Sequence, residues 1–499
     1  MHTPAAGRRG QDGRHHVDHP KHAGAAGRPG GIVAVLAVAG VIAALMQTLV
    51  VPLIGELPKL LHTSASNASW AVTATLLAGA VAVPSTGRLA DLHGKRRMLL
   101  ACTVPLIAGS VLCAVAGSLA PMVVGRCLQG MGMGIVPLGI SAMRDLLPPE
   151  RLGSSIALMS SSLGIGGALG LPLSAAVAEN ASWRALFWGA AALSVLIAAL
   201  IWWVVPAVPR RAAGRFDVPG AVGLGAGLVC LLLGVSKGAD WGWTSGTTLG
   251  LFAAAAAILL VWAWWELRSA DPLVDLRVTV GRQVGLTNAA SVLVGFAMYA
   301  QSLIVMQLLQ LPEATGYGLG QSMLAAGLWM APAGLMMMAV SPLGARLSQA
   351  RGPKVTLCAG SLVIALGYGM SIGLLGSTWG VLALTCVINA GVGLAYGAMP
   401  ALIMGAVPLS ETGAANSFNT VMRSIGTSVS AAVVGVVLAQ MTTDLGGHAL
   451  PSENGFHAGM LIAGAGALAG AVVTLALPGG RARRAAAGGE VPAEAPART

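Results

Sequence analysis

Long stretches of this chain carry no charged side chain, and they define its predicted elements. Residues 29–55 contain no Asp, Glu, Lys or Arg, and neither do 60–87, 98–125 and 152–178. A helix needs about 20 apolar residues to cross a membrane, and its backbone hydrogen bonds are satisfied within the segment. The pattern therefore predicts fourteen membrane-spanning helices, at residues 31–54, 68–87, 98–118, 122–142, 154–175, 185–206, 218–236, 248–266, 285–309, 320–342, 355–376, 379–402, 415–438 and 456–477.

The composition excludes an ordinary soluble protein. Hydrophobic residues make up 55% of the 499 residues and charged residues only 9%, whereas a soluble domain carries about 25% charged residues. All six cysteines fall inside apolar runs without CxxC spacing, so neither disulfides nor a zinc site is expected. The sequence shows no catalytic constellation and no Walker motif, which argues against an enzyme, a metal or other cofactor, and ATP as the energy source.

Positive charge is distributed unevenly along the chain, and its distribution predicts the orientation. With fourteen helices, one membrane face receives 24 of the 29 Lys and Arg residues, while the loops of the other face carry Lys59, Arg184 and Lys237. Lys and Arg concentrate in cytoplasmic loops, so both termini are expected in the cytoplasm. The net charge of +11 then reflects orientation rather than nucleic-acid binding, and the predicted location is the cell membrane.

A weak internal repeat predicts two related halves. The segment around Gly94 has an echo around Gly352, 258 residues later, and residues 148–153 have an echo at 408–413, 260 residues later. Nearly equal offsets are typical of transporters built from repeats. We therefore expect an all-helical membrane protein with six-helix bundles at 31–207 and 284–478, two inserted helices within 208–283, and disordered cytoplasmic ends at 1–30 and 479–499.

The most specific motif follows span 2. Gly87, Asp91, Gly94, Lys95 and Arg96 form the pattern Gly-x-x-x-Asp-x-x-Gly-Lys-Arg at the predicted cytoplasmic surface. The glycines allow helices to approach closely, and Asp91 can bind helix N-termini or arginine side chains. The simpler alternative is a basic cytoplasmic loop without another role. The spacing favours a tight gating loop between two helix ends.

Spans 4 and 5 carry the second and third motifs. Arg126, Gln129 and Gly130 share one helical face with Met133, and an Arg inside a span is costly unless it faces a cavity or a partner. A functional role for Arg126 is therefore favoured over a structural one. Span 5 contains small residues that let helices pack closely and a proline that bends the helix, at Gly166, Gly167, Gly170 and Pro172.

Together, these residues resemble the major facilitator superfamily. Residues 87–97 are similar to its signature between spans 2 and 3, residues 126–130 to its span 4 motif, and residues 170–172 to a variant of its span 5 antiporter motif. The fourteen predicted spans, residues 216–220 and residues 272–276 are similar to drug:proton antiporters of the EmrB/QacA type. The resemblance implies two six-helix bundles plus two inserted helices, alternating access and proton-driven efflux of lipophilic drugs.

The chain departs from the family pattern at two places. Span 1 lacks the acidic residue that the family places before a Thr, because Gln47 precedes Thr48 here. In span 5, Leu171 separates Gly170 from Pro172, whereas the family has Gly and Pro adjacent. Both departures concern the coupling residue and the substrate range rather than the fold.

Polar residues within the spans define a predicted substrate pathway. In the superfamily, spans 1 and 4 and their second-bundle counterparts, 9 and 12, line the cavity. The candidates in this chain share helical faces of spans 1, 9, 12 and 13: Gln47, Thr48, Tyr299, Met306, Gln310, Asn389, Tyr396, Asn416 and Arg423. For each Asn or Thr, hydrogen bonding between helices is an equally good explanation.

The charged residues also bear on substrate charge and coupling. No acidic residue lies at mid-membrane, whereas Arg126 and Arg423 do. We therefore expect neutral or anionic substrates rather than dications, which two guanidiniums would repel. Proton coupling then falls to a carboxylate near a span end or to the substrate itself. The predicted coupling and transport residues are Arg126, Gln129, Gly130, Asp145 and Glu56, with Asp91 as a further proton carrier.

The function predicted from these features is transport. Ala, Gly and Arg are abundant and Lys is scarce, which is typical of GC-rich bacteria. We expect a monomeric, proton-coupled transporter that lies in membrane lipid and exports small lipophilic drugs or antibiotics across the bacterial inner membrane, without a cofactor. Two alternatives stay open: a metabolite exporter or importer of the same fold, and a transporter-like membrane sensor without flux.

Overall fold

The structure is a computed structural model that describes residues 29–50, 53, 57–68, 70–207, 214–445 and 448–478. Fourteen helices in this part of the chain are long and apolar enough to cross a membrane, which confirms the predicted number. The disorder predicted for the two ends concerns residues outside those described, apart from Pro29 and Gly30, which begin the first helix. In chain order the helices are α1 (Pro29–Thr48), α2 (Trp70–His93), α3 (Lys95–Val115), α4 (Leu119–Leu146), α5 (Pro149–Asn180), α6 (Arg184–Val204), α7 (Val218–Trp241), α8 (Gly246–Glu266), α9 (Arg282–Gln310), α10 (Met323–Arg351), α11 (Pro353–Leu374), α12 (Thr378–Met404), α13 (Thr412–Gln440) and α14 (Glu453–Leu475).

Several helices extend beyond their predicted ends: α10 continues nine residues further, and α2 continues six residues further, up to Gly94. The segment predicted as a loop at 87–97 is helical on both sides of this residue, since α2 ends at position 93 and α3 begins at position 95. Arg88 and Asp91 are buried against neighbouring helices, so charge does not mark the end of α2. Gly94 has a φ of 98° and Gly352, between α10 and α11, a φ of 91°. Residues other than glycine rarely adopt a positive φ. The two segments of the predicted repeat therefore share the same backbone conformation at their glycines.

Two hydrophobic clusters form the cores of the two bundles. The first joins buried residues between positions 32 and 205, with one contribution from Met404. The second joins buried residues between positions 290 and 477. Because each cluster draws almost entirely on its own half of the chain, the two halves pack as separate bundles, as the fold class requires.

Glycine pairs let α3 cross α4 closely in the first bundle and α11 cross α12 closely in the second. In the first bundle, a β-carbon on Gly125 of α4 would lie 2.8 Å from the carbonyl oxygen of Gly109 in α3. In the second bundle, a β-carbon on Gly391 of α12 would lie 2.6 Å from the carbonyl oxygen of Gly360 in α11. Small residues allow such backbone contacts between membrane helices.

The two inserted helices, α7 and α8, pack beside the contact between the bundles. A third hydrophobic cluster joins Leu224 and Leu228 of α7 and Trp262 of α8 to Val83 of α2 and Phe418 of α13. α2 belongs to the first bundle and α13 to the second. The insert therefore covers a place where the bundles meet.

Two local features are not predicted by the charge pattern. A 3₁₀ turn at Gly132–Gly134 interrupts α4. Between α13 and α14, strands β1 (Thr442–Leu445) and β2 (His448–Pro451) form an antiparallel hairpin. The Gly-Gly dipeptide at 446–447 is a hairpin signal that a search for spans overlooks.

The predicted orientation can be tested across α8. Thr244 precedes this helix and Ala270 follows it, and both residues are exposed. We expect a membrane-impermeant thiol reagent to label Thr244→Cys in intact cells, and Ala270→Cys only after permeabilisation, because positive loops stay in the cytoplasm. The parent protein, whose six cysteines lie within helices, gives the background. The reverse pattern would contradict cytoplasmic termini.

Candidate transport cavity and latch

A cavity of about 450 Å³ lies between the two bundles. Its walls come from α1, α2, α4 and α5 of the first bundle and from α9, α10, α12 and α13 of the second. Small-molecule sites commonly have volumes of about 300–1,000 Å³, so the cavity suits a drug-sized ligand. The wall is mostly apolar and includes five flexible methionine side chains: Met133, Met298, Met306, Met330 and Met337.

Most residues of the predicted pathway line this cavity, namely Gln47, Thr48, Tyr299, Met306, Asn389, Tyr396 and Arg423. Gln310 and Asn416 lie outside its wall. Gln310 is the last residue of α9. Asn416 is 3% exposed, and its Nδ2 donates to the carbonyl oxygen of Thr412 at 2.9 Å. That the remaining residues act in transport stays a prediction.

Gln301 belongs to the cavity wall, although the sequence analysis does not select it. Its Oε1 accepts a hydrogen bond from Asn389 Nδ2 at 3.0 Å, which joins α9 to α12. Sequence reasoning misses Gln301 because it lies two residues from Tyr299, off the helical face from which candidates are chosen. The available signal is a Gln inside an apolar span.

Arg423 is the one charged residue among the described residues that line the cavity. Its guanidinium lies over the ring of Tyr396, 4.6 Å from the ring centroid. The Tyr396 hydroxyl in turn lies 3.0 Å from Sδ of Met298. α13 passes close to α9 at this point, and a β-carbon on Gly295 would lie 3.0 Å from Cγ of Arg423. The absence of a side chain on Gly295 therefore leaves room for the arginine.

Arg126 is buried inside the first bundle. Its Nε donates to the carbonyl oxygen of Ala71 at 2.8 Å, and its Nη1 donates to Met46 O and Gln129 Oε1, both at 2.7 Å. Gln129 donates to Ser110 Oγ at 2.9 Å. Arg126 and Gln129 are each 1% exposed and lie outside the cavity wall. These bonds tie α4 to α1, α2 and α3, and a coupling role for either residue stays a prediction.

The predicted small residues of α4 and α5 have different neighbours. Gly130 leaves room for α2, while Gly166 and Gly170 leave room for α1, because a β-carbon at any of the three would collide with the neighbouring helix. Gly167 instead lines the cavity, and Pro172 is buried within α5. Close packing thus explains three of these glycines. An antiporter role for them stays a prediction.

The two bundles are also joined at the predicted cytoplasmic face. The Asp91 carboxylate accepts hydrogen bonds from the backbone N–H groups of Gly413 and Ala414, at 3.1 and 3.0 Å. These groups belong to the first turn of α13, where the helix dipole favours a negative charge. We name this set of contacts the latch, formed by Asp91, Lys95, Asp145, Thr412, Gly413 and Ala414.

Lys95 is the second bridge of the latch. Its Nζ lies 2.6 Å from Asp145 Oδ2 within the first bundle, and it donates to Thr412 Oγ1 of the second bundle at 3.0 Å. Lys95 is only 4% exposed, so the carboxylate of Asp145 supplies the charge partner that burial requires. The ammonium therefore connects three helices, α3, α4 and α13.

The other residues of the gating motif have separate roles. Gly87 permits the contact, because a β-carbon there would lie 2.6 Å from the carbonyl oxygen of Gly413. Arg96 interacts within its own bundle, where its guanidinium donates to the carbonyl oxygen of Trp202 and lies 5.1 Å from the Trp202 ring centroid. Glu56, a predicted coupling residue, lies outside the described residues.

The cavity and the latch occupy different depths of the molecule. The cavity reaches Thr48, the last residue of α1, and Gln307, near the end of α9. Both helices end at the face opposite Gly94. The structure therefore describes a conformation that is closed at the predicted cytoplasmic face, with the cavity between the latch and the other face.

Two helical bundles in a membrane, a drug-sized cavity between them and a latch at one face define a transporter rather than an enzyme. The family profile described as Major Facilitator Superfamily matches residues 36–431, and the chain belongs to this family. This confirms the resemblance found in the sequence motifs.

Similar proteins are named for drug resistance, export or transport. The chain is 30% identical over 376 residues to multidrug resistance protein Stp of Mycobacterium tuberculosis, covering 74% of this chain and 68% of that protein. It is 29% identical over 417 residues to the tetracenomycin C resistance and export protein of Streptomyces glaucescens, covering 82% and 76%. It is 28% identical over 431 residues to an uncharacterized MFS-type transporter of Mycobacterium tuberculosis, covering 84% of this chain but only 61% of that protein.

Solved structures share the fold. The human organic anion transporter MFSD10 superposes with a TM-score of 0.64 at 16% identity, over 89% of this chain and 99% of that one. The proton:xylose symporter XylE superposes with a TM-score of 0.63 at 15% identity, over 90% and 96%. At this identity the likeness concerns the fold alone, and it confirms the predicted fold class.

Asp91→Asn should loosen the latch, because an amide lacks the charge that the first turn of α13 stabilises. Hydrogen bonds to charged groups contribute about 1.5–3 kcal/mol, so the population with an open latch should rise about tenfold or more. We expect slower transport at unchanged membrane insertion, and faster thiol labelling of Ser417→Cys, which is buried beneath Gly87. The exposed acid Glu453, replaced by Gln, is the matched control. Unchanged flux at equal expression would reject a gating role.

Arg126→Ala should destabilise the first bundle, because the carbonyl oxygens of Met46 and Ala71 and the Gln129 amide lose their donor. Each unsatisfied buried group costs about 1–3 kcal/mol. We expect a clear fall in the thermal unfolding temperature of the detergent-purified protein, and a smaller fall for Arg126→Lys. Arg282→Ala, at the exposed start of α9, is the control. Lost transport at full stability would instead support the predicted coupling role.

Proposed function

We propose that the protein exports lipophilic drugs or antibiotics by alternating access, driven by protons flowing inward. The observation that carries this proposal is the apolar, methionine-rich cavity enclosed by both bundles, with the latch on its predicted cytoplasmic side. Two relatives, named for multidrug resistance and for tetracenomycin C resistance and export, support both the substrate class and the direction.

In alternating access, the latch would open and close the cytoplasmic side of the cavity. For a substrate to enter the cavity from the cytoplasm, the contacts of Asp91 and Lys95 with α13 have to break. For the substrate to leave on the other side, these contacts have to form again. A ligand shifts such an equilibrium only by binding the two states differently. Because the cavity wall contains residues of both bundles, any movement between the bundles changes how well it fits the substrate.

We place proton coupling in the latch. Protonation of Asp91 would remove its charge from the N-terminus of α13, and protonation of Asp145 would leave the Lys95 ammonium without its charge partner. Either event weakens contacts between the bundles. Arg88 is also buried beside this site and adds positive charge. Glu56 remains a third candidate proton carrier.

We also propose the arrangement in the membrane. The bundles would occupy 31–207 and 284–478, with the insert at 208–283 and both termini in the cytoplasm. Large apolar side chains project outwards, including Trp203 at 78% exposure and Leu260 at 72%. Lipid would cover these surfaces, and a monomer with its own cavity is sufficient for transport.

Everted vesicles from a bacterial host test this proposal. Their outer surface is the cytoplasmic face, so an exporter should accumulate lipophilic dyes and antibiotics in the lumen when the lumen is acidic. We expect accumulation that stops when nigericin collapses the pH gradient and that vesicles without the protein lack. Flux indifferent to the gradient would reject proton coupling. Flux in the opposite direction would favour a metabolite importer, and no flux across the panel a sensor.

A further inference from the structure

The two arginines within the membrane-spanning helices have opposite surroundings. Arg126 is 1% exposed and donates hydrogen bonds to two carbonyl oxygens and to Gln129. Arg423 is half-buried at the cavity wall, and within the described residues its guanidinium forms no hydrogen bond or ion pair. A single guanidinium therefore faces the cavity with its donors available.

The positive charge of Arg423 has no acidic partner among the described residues of the cavity wall. Among the described lining residues there is no Asp and no Glu, and the polar side chains other than Arg423 are neutral amides and hydroxyls. A guanidinium stays protonated in proteins, and a charge at membrane depth is costly unless a partner or water accompanies it. An anionic ligand would supply the missing partner, whereas a cation would add a second positive charge.

The geometry around Arg423 suits a planar anion. Tyr396 supports one face of the guanidinium by a cation–π contact, and this leaves the N–H groups at its edges free to donate. Such a fork matches a carboxylate with two parallel hydrogen bonds. Asn389 and Gln301 form a neutral hydrogen-bonded pair on the same wall, so neither competes for the anion as a charge.

The rest of the wall suits an apolar body. Five methionines, together with leucine, valine and alanine side chains of both bundles, make up most of the lining. Methionine adapts to irregular shapes and contacts aromatic rings favourably. The cavity thus offers one charged contact and a large deformable apolar surface.

We infer that Arg423, held by Tyr396, binds the acidic group of the substrate, and that the transported compounds are amphipathic organic anions: an apolar ring system bearing one carboxylate or similar acidic group. The inference rests on the proposed export function and names its substrate class. It also assigns the positive charge that matters to Arg423 rather than to Arg126.

Three fluorescent compounds with one apolar body test this inference: pyrenebutyrate, pyrenebutanol and pyrenebutylamine. Binding to the purified protein is measured by quenching of tryptophan fluorescence, and transport by uptake into everted vesicles. We expect the protein to bind and transport the carboxylate about tenfold or more better than the amine, because charged hydrogen bonds contribute this much. Preference for the amine, or equal treatment of all three, would overturn the inference.

Variants of Arg423 separate anion binding from packing. Arg423→Gln should remove the preference for pyrenebutyrate over pyrenebutanol, and Arg423→Lys should retain part of that preference. Arg282→Gln changes the same charge on an exposed surface and should retain all of it. A uniform loss for all three compounds in Arg423→Lys and Arg423→Gln would show a structural role and contradict the inference.

The outcomes distinguish this inference from the proposed function. Accumulation of cationic or neutral drugs with no binding of pyrenebutyrate would overturn the anion site and leave export intact. Binding of pyrenebutyrate that depends on Arg423, without transport of any compound, would support the site and reject export.

Discussion

Placing a charge inside a membrane costs free energy unless a partner, a dipole or water accompanies it. In this protein, the charged side chains meet this cost in different ways and therefore have different roles. Asp91 is 1% exposed and lies on the amide groups of α13, and Lys95 lies against Asp145, so these charges hold the two bundles together. Arg126 is satisfied by carbonyl oxygens of its own bundle. Arg423 is turned towards the cavity, where a bound molecule can become its partner.

The same constraint shapes the insert. The Asp217 carboxylate accepts from the Gly220 N–H at 2.9 Å and from Trp265 Nε1 at 3.1 Å, and Glu266 accepts from Trp262 Nε1 at 2.9 Å. Glu266 is 2% exposed, yet it lies at the end of α8, where the chain leaves the membrane. These bonds fix the ends of α7 and α8. Because α7 packs against α2 and α13, the insert supports the two helices that form the latch.

The sequence predicts the features that follow from the free-energy cost of placing charge in a membrane, such as the number of spanning helices. Fourteen largely apolar stretches, two of which contain an arginine, are fourteen helices, and Gly87 of the first motif is a contact point between helices. Contacts between distant segments are a different matter. Asp91 meets Gly413 across 322 residues, and this contact buries the acid and lets α2 continue to His93. No local pattern shows such a pairing, so the sequence places a loop there.

Contacts between helices in the cavity are equally hard to predict from the sequence. Helical faces, read one span at a time, select Arg423 and Tyr396, and both lie in the cavity wall. That they stack on each other depends on the approach of α12 and α13, and that Arg126 faces away from the cavity depends on α1 and α2. Gln301 lies off the helical face that carries Tyr299, and its hydrogen bond with Asn389 depends on the approach of α9 and α12. Neighbouring helices, rather than one helix's own periodicity, decide these positions.

For an anionic substrate, the membrane potential itself favours export. Moving one elementary charge across the membrane is worth about 2.3 kcal/mol per 100 mV. An anion that leaves a negative-inside cell gains this free energy, whereas a dication would need about twice as much to be supplied. A proton that enters contributes the same electrical gain again. In the proposed mechanism, the cavity wall would have to neutralise only the substrate, through Arg423. The acids proposed to carry protons could then lie at a distance, in the latch, where their protonation would control the contact between the bundles.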